Sequence, residues 1–369
     1  MLRRILVYGP KDPVGGVEKI VFEYVKNIMK NHDDVSFDFL QYGSGFSMEK
    51  EITDLGCRVL YLPGRKNFFA YKSALGRIFA ENKYAAVWGN YSGLTNIDLL
   101  TFAKKYNVPV RIAHSHGSKF YWGNALMRFV VPTLHYLNTL RIGACGTHFF
   151  ACSDSAGEFM FPSWLQDKVE IVPNAVDLSR FTPDPLTRAD ARAEFALSDD
   201  NIVIGHVARM CEVKNQTFLL EAVAAALRLN PKVKLLFVGD GEYREIVEEK
   251  IKELGIEDAV ILTGQRDDAA RLYQAMDVFA LTSFSEGLSV SAVEAQASGV
   301  PCVLPTTVSS LTDVSGCVSF LPLESGALRW AETLIEWAKF DTDSSRENII
   351  KSGFDMQTAS ENLYKKFIG

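Results

Sequence analysis

The sequence predicts an α/β protein made of two doubly wound domains, each around a parallel sheet, and three observations carry that prediction. Length is the first, because 369 residues at roughly 150 per domain point to two cores. The second is an end-to-end alternation of short apolar runs with amphipathic stretches of helical length. That alternation is the mark of strands covered on both faces by their own crossover helices. The third is that the alternation stops at a polar segment and then starts again.

Taken in order, Ile5 to Tyr8, Phe37 to Gln41, Val59 to Leu62, Ala85 to Trp88, Val110 to Ala113 and Phe149 to Cys152 read as strands of a first sheet. The turn Val172-Pro173-Asn174-Ala175-Val176-Asp177 breaks the pattern, and the polar stretch from Asp177 to Asp200 reads as a linker. A second series follows: Ile202 to Val207, Leu235 to Val238, Val260 to Leu262, Val278 to Leu281, Cys302 to Leu304 and Val318 to Leu321. The domains expected are therefore 1–172 and 173–353, with a helical pattern from Phe354 to Ile368 that fits either. Loops at the carboxyl ends of strands bind ligands in doubly wound sheets, which makes a cleft between the domains the expected site.

Composition narrows the function. Apolar residues at 47% and charged residues at 23% describe an ordinary globular protein. A net charge of −6, from 39 basic and 45 acidic residues, gives no support to nucleic-acid binding. The charge is uneven: residues 1–172 hold 20 basic and 15 acidic residues, or +5, leaving −11 for the rest. Such a basic half suits an anionic partner. Cys57, Cys145, Cys152, Cys211, Cys302 and Cys317 are scattered, as expected of reduced core thiols. Met1-Leu2-Arg3-Arg4 runs straight into a short strand, and no apolar run reaches 18 residues, so a cytoplasmic protein is expected, with any membrane contact peripheral at the inner face. Lys119-Phe120-Tyr121-Trp122 leads into an apolar helical stretch from Ala125 to Arg141 that carries Arg128. It would either rest on an anionic leaflet and admit a lipid-linked acceptor, or pack as a core helix kinked by Pro132.

Several motifs sit where strands end. Between the strand ending near Ser283 and a helix starting near Ser289, Glu286 and Gly287 form a turn, so the amides of Leu288 and Ser289 are free to bind phosphate. Glu294, eight residues after Glu286, falls in the second turn of that helix, and the two carboxylates would accept hydrogen bonds from sugar and ribose hydroxyls. A solvated helix carrying surface charges is the plainer alternative. Gly239-Asp240-Gly241 lacks the third glycine of a dinucleotide fingerprint, since Arg244 takes that place, so no NAD site is expected. Asp341-Thr342-Asp343 reads as a solvated loop, and His32, His135, His148 and His206 as structural residues. His114 and His116 alternate along a strand end and should point to opposite faces, leaving one for the cleft.

Glu286-Gly-Leu followed by Glu294 resembles the E-x7-E motif of the family-4 retaining glycosyltransferases, whose fold is the two-domain GT-B arrangement. Gly15-Gly16-Val17-Glu18 resembles that family's glycine-rich loop, the Pro173-Asn174-Ala175 turn its interdomain segment, and Arg209-x4-Lys214-Asn215 its donor-phosphate pair. Ala208 stands where the family usually has glycine. The stretch Arg111 to Gly117 is similar to the branch that builds bacterial capsular and exopolysaccharides.

The resemblance implies transfer of a sugar, with retention, from a nucleotide diphosphate donor, UDP-linked, to a hydroxyl of a glycan or lipid-linked acceptor. It assigns the donor sugar to Glu286, the ribose to Glu294, and the departing diphosphate to Arg209, Lys214 and the Leu288 and Ser289 amides. Gly15 and Gly16 would let the backbone approach the diphosphate, Gly264 and Gln265 would take the base, and His116 would bond a sugar hydroxyl as a neutral imidazole. It also implies that the carboxyl-terminal helix returns to the first domain, that the nucleotide-sugar is substrate rather than cofactor, and that no tightly bound metal is needed. Two other readings fit the same fold: a sugar-nucleotide epimerase, and a non-catalytic sugar-nucleotide-binding subunit of a polysaccharide assembly complex.

Overall fold

The computed structural model describes residues 2–9, 16–117, 127–286, 288–343 and 345–369. The chain forms two compact units, Met1–Ala175 with Met356–Gly369, and Val176–Asp355. In the first unit the strands are β1 (Arg3–Tyr8), β2 (Val35–Tyr42), β3 (Arg58–Leu62), β4 (Tyr84–Tyr91), β5 (Val110–Ser115), β6 (His148–Ala151) and β7 (Val169–Ile171). They pair in the order β3-β2-β1-β4-β5-β6-β7, all parallel. The second unit holds β8 (Ile202–Val207), β9 (Val233–Val238), β10 (Val260–Leu262), β11 (Val278–Ala280), β12 (Cys302–Pro305) and β13 (Val318–Leu321). These pair as β10-β9-β8-β11-β12-β13, again all parallel.

Both sheets grow leftward for three strands and then jump back to grow rightward. The order reverses between β1 and β4 in one and between β8 and β11 in the other. At such a reversal the loops leaving the two central strands turn to opposite faces, which opens a crevice at their carboxyl ends. The central strands are apolar without alternation because helices cover both faces: Ile5, Leu6 and Val7 are completely buried, as are Val203 and Ile204. The one carboxylate buried within β2, Asp38, is held by Arg58 at 2.5 Å, Arg4 at 3.3 Å and the Tyr84 hydroxyl at 2.9 Å, which supplies the partners a buried charge requires.

Three features depart from the sequence reading. β7 is a further strand; at three residues, with two of them exposed, it carries no apolar run to betray it. The first unit ends at Ala175 rather than Val172, because the Tyr24 hydroxyl donates to the Pro173 carbonyl at 2.7 Å while the Val176 amide donates to Phe354 at 2.9 Å. The stretch from Asp177 to Asp200 is not a bare linker. It contains a helix, Pro185–Glu194, capped by Asp184, whose Arg188 and Arg192 converge on Asp277 at 2.6 and 3.3 Å. A charge-laden sequence thus docks into the second unit through ion pairs as well as through the buried apolar side chains Leu178, Phe181, Ala191 and Leu197.

The carboxyl-terminal helix, Met356–Ile368, belongs to the first unit. Its Phe367 packs against Phe37 and Trp88, with ring centres at 5.9 and 5.7 Å. Tyr364 stacks on His32 at 3.5 Å and donates to Asp34 at 2.8 Å, and Glu361 lies 2.8 Å from the His32 ring nitrogen. Replacing Phe367, which is 1% exposed, with alanine leaves a large cavity under β2 and β4. Phe367→Ala should lower the unfolding free energy of the first unit by about 3 kcal/mol, read by urea denaturation followed by tryptophan fluorescence.

Candidate functional site

The carboxyl ends of β8 and β11 carry the best-formed constellation in the second unit. After β8 the chain passes through Arg209, makes a short turn at Glu212–Lys214, and enters the helix Gln216–Leu229 through Asn215 in the left-handed conformation. After β11 it runs through Thr282 and Ser283 to Glu286, and re-enters a helix at Val290–Ala297. The two loops are stitched together across the strand-order reversal. The Thr282 hydroxyl donates to the carbonyls of Lys214 and Asn215 at 3.2 and 2.9 Å, and the Phe284 amide donates to the Val213 carbonyl at 2.9 Å.

That stitching brings the Lys214 ammonium 2.8 Å from the Glu286 carboxylate, with both side chains about four-fifths buried. Ser283 Oγ donates to the other Glu286 oxygen at 3.1 Å, and a parallel bridge from Glu286 to Val308 fixes the turn from the β12 side. Ser289 caps the following helix by accepting from the Ala292 amide at 3.4 Å, and Leu288 is buried beside it. One turn further, Glu294 accepts from the Tyr273 hydroxyl at 2.9 Å, and burial together with the Glu294 charge raises the pKa of that phenol. Gly287 lies outside the described residues, as does Gly15.

Arg209 is less constrained. Its side chain is 70% exposed and bonds Glu242 through Nε at 3.0 Å and Nη2 at 2.8 Å, while its carbonyl accepts from Gln216. The loop that carries Glu242 is pressed onto the Arg209 segment: the Met210 amide donates to Asp240 and the Tyr243 amide to Met210. Gly239 makes this approach possible, since its φ is +136° and a Cβ there would stand 2.0 Å from the Ala208 carbonyl oxygen. Gly264, two residues past β10, has φ +70°, and its carbonyl accepts from the Gly239 amide at 2.9 Å. Gln265 beside it is exposed, whereas Arg266 is engaged by Glu194 and Asp268 and serves the structure. Sequence reasoning missed Glu242, Tyr273 and Ser283, whose importance lies only in what they touch. The pair of glycines around Asp240 was the available signal, read there solely as an incomplete dinucleotide fingerprint.

In the first unit the corresponding reversal is built by Gly9 and Asn90. Gly9 has φ +132°, and a Cβ on it would meet the Asn90 carbonyl oxygen at 2.5 Å. Asn90 donates its amide to the Tyr8 carbonyl at 3.2 Å, which leaves its Oδ1 facing His116 Nε2 at 2.8 Å. The ring nitrogen facing that oxygen is therefore the protonated one, and Nδ1 keeps its lone pair, with no hydrogen-bond partner among the described residues. Burial pushes the imidazole down to about 3, partly offset by the Asn174 side chain, so His116 is neutral at pH 7. His114 and His116 do not point to opposite faces as the sequence suggested: their rings lie 4.1 Å apart. β5 stops at Ser115, so the two-residue period of a strand does not extend to His116.

Gly16 opens the helix Gly16–Asn31, and no close approach among the described residues requires it to be glycine. Lys119 to Trp122 and Ala125 lie outside the described residues, and Asp341-Thr342-Asp343 is a solvent-facing loop. The contrast between glycines is testable by thermal unfolding. Gly239→Ala should destabilise the second unit by about 2 kcal/mol or more, whereas Gly16→Ala should stay within about 1 kcal/mol of the parent.

Comparisons with known proteins bear on the family and the fold. A family model described as Glycosyltransferase Family 4 matches residues 14–180, and one described as Glycosyl transferases group 1 matches residues 187–315. EpsF of Bacillus subtilis (strain 168), a protein named as a glycosyltransferase, is 31% identical over 357 residues, 93% of this chain and 90% of its own. The UDP-Gal:alpha-D-GlcNAc-diphosphoundecaprenol alpha-1,3-galactosyltransferase of Escherichia coli is 26% identical over 237 residues, covering 63% of this chain and 60% of that one. Among solved structures, Anabaena Alr3699/HepE in complex with UDP and glucose superimposes with a TM-score of 0.75 at 17% identity, covering 98% of both chains. The two doubly wound units are those of the GT-B fold, and the chain belongs to the group 1 glycosyltransferases.

Proposed function

We propose that this glycosyltransferase moves a sugar, with retention at the anomeric carbon, from a UDP-linked donor to a hydroxyl of a glycan or lipid-linked acceptor in polysaccharide synthesis. The observation that carries the proposal is the Lys214–Glu286 pair at 2.8 Å, set at the strand-order reversal of the second unit beside the helix start at Ser289. A cation and a carboxylate held together and largely buried have a use when a ligand takes both: the ammonium turns to a diphosphate and the carboxylate to sugar hydroxyls. Glu294, positioned by Tyr273, is proposed to accept from the ribose, and Gly264 and Gln265 to meet the base. The nucleotide is proposed as UDP because the solved Anabaena complex holds UDP and the Escherichia coli relative is named for a UDP-sugar. The latter is also named for a diphosphoundecaprenol-linked substrate, which supports a lipid-linked acceptor here.

In the proposed step the bond from the anomeric carbon to the leaving phosphate oxygen breaks and a bond to the acceptor oxygen forms on the same face. The acceptor proton passes to the departing diphosphate. Lys214, Arg209 and the amides of Leu288 and Ser289 gain strength as negative charge grows on that group, which lowers the barrier without a tightly bound metal. His116, kept neutral by burial, is proposed to bond a sugar hydroxyl. No carboxylate is assigned as a covalent nucleophile. This arrangement favours same-face attack over double displacement.

Calorimetric titration with UDP, GDP and ADP tests the donor site. UDP should bind, and Lys214→Ala and Glu294→Ala should each weaken it by about 10- to 100-fold, the worth of a hydrogen bond to a charged group. Failure of all three nucleotides to bind, with or without magnesium, would remove the donor assignment.

A further inference from the structure

Phe284 stands on the donor loop, and none of the roles assigned above uses it. Leu281 and Leu288, its nearest apolar neighbours along the chain, are both buried in the core of the second unit. Thr282 and Ser283 are completely buried as well, whereas Phe284 is 54% exposed. It is the one aromatic residue between Leu281 and Ala297. Single exposed apolar side chains are common and need no explanation. This one differs because its backbone is held on both sides.

The Phe284 amide donates to the Val213 carbonyl at 2.9 Å, and the carbonyl of the same peptide group, that of Ser283, accepts from the Thr307 hydroxyl at 2.6 Å. Ser283 Oγ reaches Glu286 at 3.1 Å, and Glu286 bridges to Val308 beside Thr307. The loops that follow β8 and β12 thus clamp one peptide group between them. Val213 adjoins Lys214, and Phe284 lies two residues before Glu286, so the clamp sets Phe284 against both segments that carry the ion pair. A fixed backbone that shows solvent a flat apolar ring, beside groups that are otherwise charged or polar, has the make-up of a ligand platform.

We infer that the Phe284 ring is the platform for the sugar carried by the donor nucleotide, stacking on the C–H face of a pyranose whose edge hydroxyls go to Glu286. A pyranose is polar around its edge and apolar on its faces, where the C–H bonds carry slight positive charge. An aromatic ring offers a flat apolar area with negative charge above its plane, so it attracts that face as it attracts the edge of another ring. The carboxylate and the ring divide the sugar between them, one taking hydroxyls and the other the face they leave bare. Such a pair discriminates among sugars, because an axial hydroxyl turned toward the ring would lose its hydrogen-bond partner. This assignment rests on the donor site proposed above and gives it a specificity-determining residue, while the nucleotide itself has no need of the ring.

Calorimetric titration of the full chain with UDP, UDP-glucose, UDP-galactose and UDP-N-acetylglucosamine, repeated on Phe284→Ala, Phe284→Leu and Phe284→Tyr, tests it. For the UDP-sugar that the parent binds most tightly, Phe284→Ala and Phe284→Leu should each weaken binding by about 3- to 10-fold, the worth of one aromatic contact, and Phe284→Tyr should stay within about twofold of the parent. UDP should bind the parent and the variants alike, and circular dichroism melts show that each is folded. Equal losses for UDP and UDP-sugar, no loss for any of the sugars, or full affinity in Phe284→Leu would each overturn the platform and leave the donor site standing. Failure of UDP to bind the parent would overturn both, and is seen before any sugar is compared.

Discussion

Lys214 and Glu286 are far apart in the chain, and their ion pair exists because the sheet reverses its strand order between β8 and β11. A reversal sends consecutive crossovers to opposite faces, leaving the carboxyl ends of two adjacent strands uncovered. The protein closes that gap with backbone acceptors and one hydroxyl, through Thr282 to the Lys214 and Asn215 carbonyls and Phe284 to Val213. The Lys214–Glu286 pair hangs on this seam. With both side chains largely buried, neither charge is dispensable alone: removal of one leaves the other without its partner in a poorly solvated place. A ligand that brings its own anion and its own hydroxyls is the natural way to separate them.

The same constraint recurs in the first unit, with different chemistry. There the reversal lies between β1 and β4, where Gly9 lets the Asn90 backbone come close and Asn90 in turn fixes the His116 ring. Burial keeps that ring neutral, so its donor and acceptor sides are distinct and stay so across physiological pH. In both units a glycine with positive φ is needed where two loops cross, Gly9 against Asn90 and Gly239 against Ala208, and a polar side chain beside the crossing is aimed as a result.

Much of this was legible in the sequence. Strand periodicity located twelve of the thirteen strands among the described residues, several to the residue, because central parallel strands are uninterrupted apolar runs. β7 escaped because an edge strand of three residues buries too little to be patterned. Glu286, Glu294, Arg209 and Lys214 stood out as charged residues in the segments that follow strands, and the structure puts those segments at the carboxyl ends of the two central strands β8 and β11. Their supports did not stand out. Glu242, Tyr273 and Ser283 act through contacts with residues distant in sequence or across a turn, and such contacts leave no spacing to read. The two histidines were misplaced for a local reason, the end of β5 one residue before His116. Likewise, the docking of Pro185–Glu194 rests on Asp277, which no period connects to Arg188 and Arg192.

On this reading the Lys214–Glu286 pair is the resting form of the donor site. A crystal structure of the protein soaked with the nucleoside diphosphate that binds in solution tests it most directly. Diphosphate oxygens should lie within hydrogen-bonding distance of Lys214 Nζ and the Arg209 guanidinium, with the Lys214–Glu286 separation lengthened from 2.8 Å. A diphosphate bound elsewhere, with that pair still closed, would contradict it.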